Sequence, residues 1–395
     1  MMSWVLPSLI LNFRQVKRLI SLISLPLILS CGGNSSEKSD SDKILENFSF
    51  SVDTILIDPS DKIINLSYGI GNATLGPERQ FLYQFDPSKP QINQINLNSF
   101  KLENQYPFEE EGPNGIAPLI FGMQFLDNGQ LILGGYGAQY GVFTLQGKKV
   151  QELNLNPADY KGLEALEITD LGLRFTFSKD GRFGSVLKRI GESNSSELIV
   201  FDLETMTGKV FWLPEMEQAF DYSLEFQAGN RIRFVGDGIW LNQIENGVLV
   251  GNSTNNKLYQ YEFDTDSLKL MEYDFSLVPN QKERPIKKEV NSLEEYLVEE
   301  EIALSQIYFG SLIYDDSSNR FFRFGRILEP KKDGEQTRKG DIFLFMFDQN
   351  FRLLGEAKME GIYSIPQSAF FKDGKLWSYV NVDDELGFAI FDFKF

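Results

Sequence analysis

Two absences narrow the chemistry open to this chain. It has no histidine, and Cys31 is its only cysteine. Ser-His-Asp and Cys-His nucleophilic catalysis and His-ligated zinc or iron are therefore excluded. So are an intrachain disulfide and any multi-cysteine metal cluster. What remains is the chemistry of Asp, Glu, Lys, Arg, Tyr, Ser and Thr.

Four places concentrate such residues. In "PFEEEGPNGI" (107–116) three glutamates lead into a Gly-Pro-Asn-Gly turn. Glu111 and Asn114 would either sit in a solvated turn or reach a central pocket and hold a cation or sugar hydroxyls. In "NRFFRFGRI" (319–327) Arg323 and Arg326 lie three apart, so on a strand they project to opposite faces. Arg189 in "LKRIGE" occupies a comparable place. Each arginine is expected to make a structural ion pair or, alternatively, to grip a ligand carboxylate. Trp240 in "GDGIWLNQ" is core, with Trp212 and Trp377, unless it faces a channel where it would stack on a sugar.

Neither "DTDSLKLMEYD" nor "SDSDK" supplies the loop frame of a calcium site, and no metal or cofactor is expected. A glycosidase needs two carboxylates at a set separation, which acid counting does not establish in a chain with 56 Asp and Glu. The formal charge of −18 disfavours nucleic acid and anionic bilayers as partners.

The N-terminus reads as an address. Arg14, Lys17 and Arg18 precede an apolar run from Leu19 to Ser30, which suits a signal-peptide core and is short for a membrane span. Ile28-Leu29-Ser30-Cys31 resembles the bacterial lipobox, whose cysteine is acylated before cleavage. Residues 1–30 are thus expected to be a lipoprotein signal peptide, Cys31 the lipidation site, and 31–46 a flexible Ser/Asp/Lys tether. Gly32, rather than aspartate, tilts the expected location toward the outer membrane.

These residues need a scaffold, and 47–395 repeats one. An aromatic and apolar strand ending in Asp recurs as FLYQFD (81–86), LIVFD (198–202), LYQYEFD (258–264), IFLFMFD (342–348) and GFAIFD (387–392), with YGVFTLQG (140–147) a degenerate copy. Their ends are spaced 60, 56, 62, 84 and 44 residues apart, the range for four-stranded units. A hairpin precedes each copy, at IDPSDKI, FLDNGQL, FSKDGRF, IENGVLV, YDDSSNRFF and FKDGKLW. Asn-Gly and Asp-Gly there suit positive-φ turns. A further strand follows five copies. The expected fold is all-β, a six-bladed propeller of four-stranded antiparallel blades.

The last copy lacks its fourth strand, and "NFSFSV" (47–52) is unassigned. Pairing the two would close the ring and remove an open edge. The competing reading makes 47–57 one long strand of the first blade. The longest interval holds an insertion, 276–304, between blades four and five. There Asn291 or Ser292 would cap a helix carrying Leu293, Tyr296, Leu297 and Ile302, as a brace or a lid.

Together, the acylated N-terminus, the six units, "PFEEEGPNGI" and "NRFFRFGRI" resemble a family of uncharacterised Bacteroidota lipoproteins with a TolB-like six-bladed propeller. The resemblance implies the fold and an envelope location, and it offers no catalytic residues. The functional expectation is a membrane-tethered binding or scaffolding module for a glycan, peptide or envelope protein. The alternative is a carboxylate-dependent polysaccharide hydrolase or lyase, which would require two buried acids in the central funnel.

Overall fold

A computed structural model describes residues 44–189, 195–331 and 338–395. The signal segment and Cys31 lie outside the described residues. Within them, six four-stranded antiparallel sheets form a ring. Five blades are consecutive in the chain, spanning 73–107, 120–153, 176–212, 239–271 and 308–358. In each, the first strand lies innermost and the fourth outermost, and innermost strands of neighbouring blades adjoin one another.

The sixth blade closes the circle. Ser49–Leu56 pairs antiparallel with Glu385–Lys394, in a register running from Ser49 opposite Lys394 to Leu56 opposite Gly387. The closing strand therefore takes Ser49–Val52 of NFSFSV and continues through Asp53–Leu56. Phe48 and Phe50 pack on Phe393 and Phe391, with ring centroids 5.8 and 6.1 Å apart. Contacts with the ring begin even earlier. Leu45 donates its N–H to Glu356 O at 2.9 Å, on the outermost strand of blade five. Ile44, which the sequence reading places in the tether, also bridges to Glu356.

Turn chemistry explains most of the ladder. At Asp373-Gly374 both residues have positive φ, 52° and 73°, as a two-residue hairpin turn between Phe370–Lys372 and Lys375–Val382 requires. Blade one departs from the expected phase. FLYQFD is its second strand, not its third, and Lys101–Pro107 is its fourth. IDPSDKI is no hairpin. Asp58 accepts the Ser60 N–H at 2.8 Å in a loop that leads to a three-residue inner strand, Ala73–Leu75. The reason is local: an aspartate at a strand end caps whichever turn comes next. Asp86 accepts from the Ser88 N–H and hydroxyl on one face of the ring, while Asp348 accepts from the Asn350 and Arg352 N–H groups in the turn before an outermost strand.

The expected helix is present as α1 (Leu293–Leu304). Its N-cap is Ser292, whose hydroxyl accepts the Glu295 N–H at 3.2 Å. Tyr296 and Ala303 face inward, but Leu293 and Leu297 are 41% and 43% exposed, contrary to the expected apolar stripe. Glu299 takes a buried place instead, where it accepts the Lys287 N–H at 3.1 Å. Ser292→Ala should cost about 1 kcal/mol of stability, read as a lower urea midpoint at unchanged slope.

A second insertion escaped the sequence reading. Between blades three and four, a 3-10 segment (Pro214–Tyr222) leads into a two-stranded hairpin, Leu224–Ala228 with Arg231–Val235. Tyr222, Leu224 and Val235 share a small core with Ile286, Tyr296 and Ala303, so the two insertions form one cap. Beneath it Lys282 Nζ and Asp237 Oδ2 meet at 2.6 Å, both 3% exposed. Burial lowers the Lys282 pKa, and Asp237 opposes that shift. Asp237 also accepts from the Ser253 hydroxyl at 2.7 Å.

Candidate functional site

The inner strands of blades one to four enclose an off-centre cavity of about 830 Å³. Its wall is built from Ala73–Leu75, Ile120–Phe125, Thr176–Phe177 and Ile239–Ile244, with the segment 172–175 at its rim. That volume suits a drug-sized or oligosaccharide-sized ligand.

Most polar groups on the wall of blades one to three are spent on holding the blades together. The Asn72 amide donates to Ile120 O at 2.9 Å, linking blade one to blade two. Gln124 behaves like an extra peptide unit. It donates to Phe177 O at 2.7 Å and accepts the Phe177 N–H at 3.0 Å, linking blades two and three. Tyr140 crosses to the same blade, accepting the Phe175 N–H at 3.2 Å and donating to Leu173 O at 3.1 Å. Burial raises its pKa, so the phenol keeps the proton it donates. Gly122 lets that ring approach, since a Cβ there would sit 2.8 Å from the Tyr140 hydroxyl.

Blade four differs. On its inner strand Trp240 Nε1, Asn242 Oδ1 and Gln243 Nε2 are buried and have no hydrogen-bond partner in the protein. A buried polar atom left unpaired costs about 1–3 kcal/mol, so three within four residues demand an explanation. All three residues line the cavity, although these three atoms themselves have almost no accessible surface, so side-chain rotation would be needed to present them to a ligand. The charge of the cavity is equally pointed. No aspartate or glutamate is among the lining residues, and Arg174 is their one charged member, in a chain with 56 acids against 38 bases.

Of the residues singled out from sequence, Trp240 alone lines the cavity. Glu111 is exposed and Asn114 half-buried in a loop against the outer edge of blade two, where Asn114 Oδ1 accepts the Lys149 N–H at 3.2 Å. The side chain of Arg189 is exposed, and its N–H donates to Asp170 O. Arg326 is half-buried with its guanidinium 4.5 Å from the centroid of the Tyr308 ring, and burial lowers its pKa. Trp212, expected in the core, is 62% exposed on an outermost strand, where its indole donates to Glu217 Oε1.

Arg323 corrects a further expectation. It is 0% exposed and makes no ion pair among the described residues. Its fork donates instead to four carbonyls: Gly310 O (2.9 Å), Asn256 O (3.0 Å), Asn252 O (2.7 Å) and Asn255 O (3.3 Å). Trp240 and Phe309 flank it, with centroids at 5.2 and 4.8 Å. The reason is the buried turn 252–256 between the second and third strands of blade four, whose carbonyls lie out of reach of water. Desolvation pushes the Arg323 pKa down to about 9, which leaves it charged at neutral pH. Arg323 thus fastens blade five to blade four and holds one side of the Trp240 ring.

Asn242, Gln243 and Arg174 were not anticipated. The signal for the first two was the adjacent polar pair in "IWLNQI", on the strand that opens its unit and therefore lies innermost.

Residues 43–358 match the family model described as "Domain of unknown function (DUF4221)". The chain belongs to this family. A crystal structure of a DUF4221 member from Bacteroides vulgatus is similar at 13% identity and TM-score 0.59, covering 88% of this chain and 98% of that one. It shares the fold. A "putative exported protein" from Bacteroides fragilis aligns at 9% identity and TM-score 0.48, over 88% of this chain and 96% of that chain. No curated protein matches the sequence. As expected from the sequence, this DUF4221 chain is an all-β, six-bladed propeller.

Proposed function

We propose that this DUF4221 propeller is a binding module of the cell envelope whose off-centre cavity takes a small polyhydroxylated ligand, a saccharide in the first instance. The observation that carries the reading is that Trp240, Asn242 and Gln243, three neighbouring residues of the cavity lining, each hold a polar atom without a protein partner. Two are donors and one is an acceptor, the complement of hydroxyl groups, which both accept and donate. Trp240 and Phe121 add aromatic surface for the apolar face of a sugar ring. The hydrolase reading finds no support here, since the carboxylate pair it requires is not among the lining residues.

The envelope location rests on the lipobox-like sequence around Cys31. No described helix is long and apolar enough to cross a membrane. Cys31→Ala should abolish metabolic labelling with palmitate and move the protein from the membrane fraction to the soluble one.

The cavity itself is tested by apolar replacements of similar volume. Asn242→Leu with Gln243→Met should weaken binding of any saccharide recovered on a glycan array by about 10–100-fold, the worth of two hydrogen bonds. The same pair should leave the urea midpoint of the free protein unchanged or raise it, because two unpaired polar groups leave the interior. A fall in stability with no change in binding would show that these residues are structural.

A further inference from the structure

The reading above leaves the ligand's charge open, and the cavity bears on it. Arg174 stands two residues before the inner strand of blade three and lines the cavity. Its side chain is exposed and has no ion pair among the described residues. The inner strands of blades three and four adjoin one another, so Arg174 and the unpartnered groups of Trp240, Asn242 and Gln243 share neighbouring walls of one cavity. No carboxylate lines that cavity to neutralise the guanidinium. In a chain of formal charge −18 this makes the cavity a locally positive pocket within a negative surface. Low-dielectric walls focus such a field and favour an anionic ligand inside the cavity over one at the surface.

The chemistry of the positive group narrows the anion. A guanidinium presents two parallel N–H donors in the spacing of a carboxylate, and it stays charged at every physiological pH. The neighbouring wall carries two donors and one acceptor for hydroxyls, with aromatic surface beside them. Resting on the saccharide reading above, we propose that the ligand is an acidic sugar. Its carboxylate pairs with Arg174, and its ring hydroxyls bond Trp240 Nε1, Asn242 Oδ1 and Gln243 Nε2.

The test uses matched pairs of hexuronate oligosaccharides, each as the free acid and as its methyl ester, titrated calorimetrically into the full chain in detergent. The ester keeps the skeleton and removes the charge. Wild type should bind a free acid about tenfold more tightly than its ester, the size of one charge-assisted pair. Arg174→Gln should erase that preference while leaving thermal stability unchanged, since the side chain is exposed and makes no ion pair among the described residues. Asn242→Leu should weaken acid and ester alike.

An acid and ester bound equally by wild type would overturn the carboxylate assignment and leave the saccharide reading standing. So would a preference that survives Arg174→Gln, or binding confined to sulfated sugars. Failure of every acid, ester and neutral saccharide on the array to bind would overturn both.

Discussion

Arg323→Met should destabilise the ring by about 3–5 kcal/mol, the range for removing one partner from a buried charged network. The side chain is fully buried, and its four acceptors are backbone carbonyls. Truncation leaves those oxygens unpaired in the interior, each at a cost of about 1–3 kcal/mol before relaxation. Relaxation and entering water recover part of that sum, which keeps the expected loss at the lower range. Arg323→Lys should fail to rescue, since a single ammonium cannot reach carbonyls spread over two blades. Arg326→Met supplies the contrast. That residue is half-buried and rests on Tyr308, so its replacement should cost under about 1 kcal/mol. Urea unfolding of the three variants at constant slope gives the comparison directly.

The second large effect concerns closure. A chain beginning after Leu56 should fail to fold as a monomer. It loses the eight-residue ladder to Glu385–Lys394 and the packing of Phe48, Phe50 and Val52 on the last blade. The edge it exposes carries Phe388, Phe391 and Phe393, a strand primed to pair with another chain. Size-exclusion chromatography should show aggregates in place of a single compact species. Reattaching residues 44–56 after Phe395 through a flexible linker should restore the monomer, because closure needs the strand in its register and not its position in the chain. A truncated chain that stays monomeric with unchanged stability would show that the ladder contributes little.

Much of this ring was legible in the order of residues, and the misses have definite causes. Asp-Gly and Asn-Gly turns between alternating strands are strong local signals, so five hairpins and the closing strand fell where expected. Blade one slipped by a strand because Asp86 and Asp348 mark a turn, and turns occur on both faces of a blade. The inner strands of blades one and three are three and two residues long, too short for any alternation to show. The hairpin around Gly229 resembles a blade strand pair in every local respect. Only the ring's fixed count of four strands sets it apart.

The candidate site was harder to see. Asn72 and Gln124 are of the same residue types as Asn242 and Gln243, yet the first two bond their neighbours and the second two do not. That difference is set by which strands meet across the channel, and no spacing in the chain encodes it. Arg323 carried a visible signal, a cation within an aromatic strand, but its partners are carbonyls of a turn nearly seventy residues earlier.

The most direct test of the account is a high-resolution crystal structure of the protein purified from its native envelope without a stripping step. The account predicts continuous non-protein density in the cavity between blades one and four, in hydrogen-bond contact with Trp240 Nε1, Asn242 Oδ1 and Gln243 Nε2. Those three atoms bonded instead to their own protein neighbours, around a collapsed cavity, would contradict it.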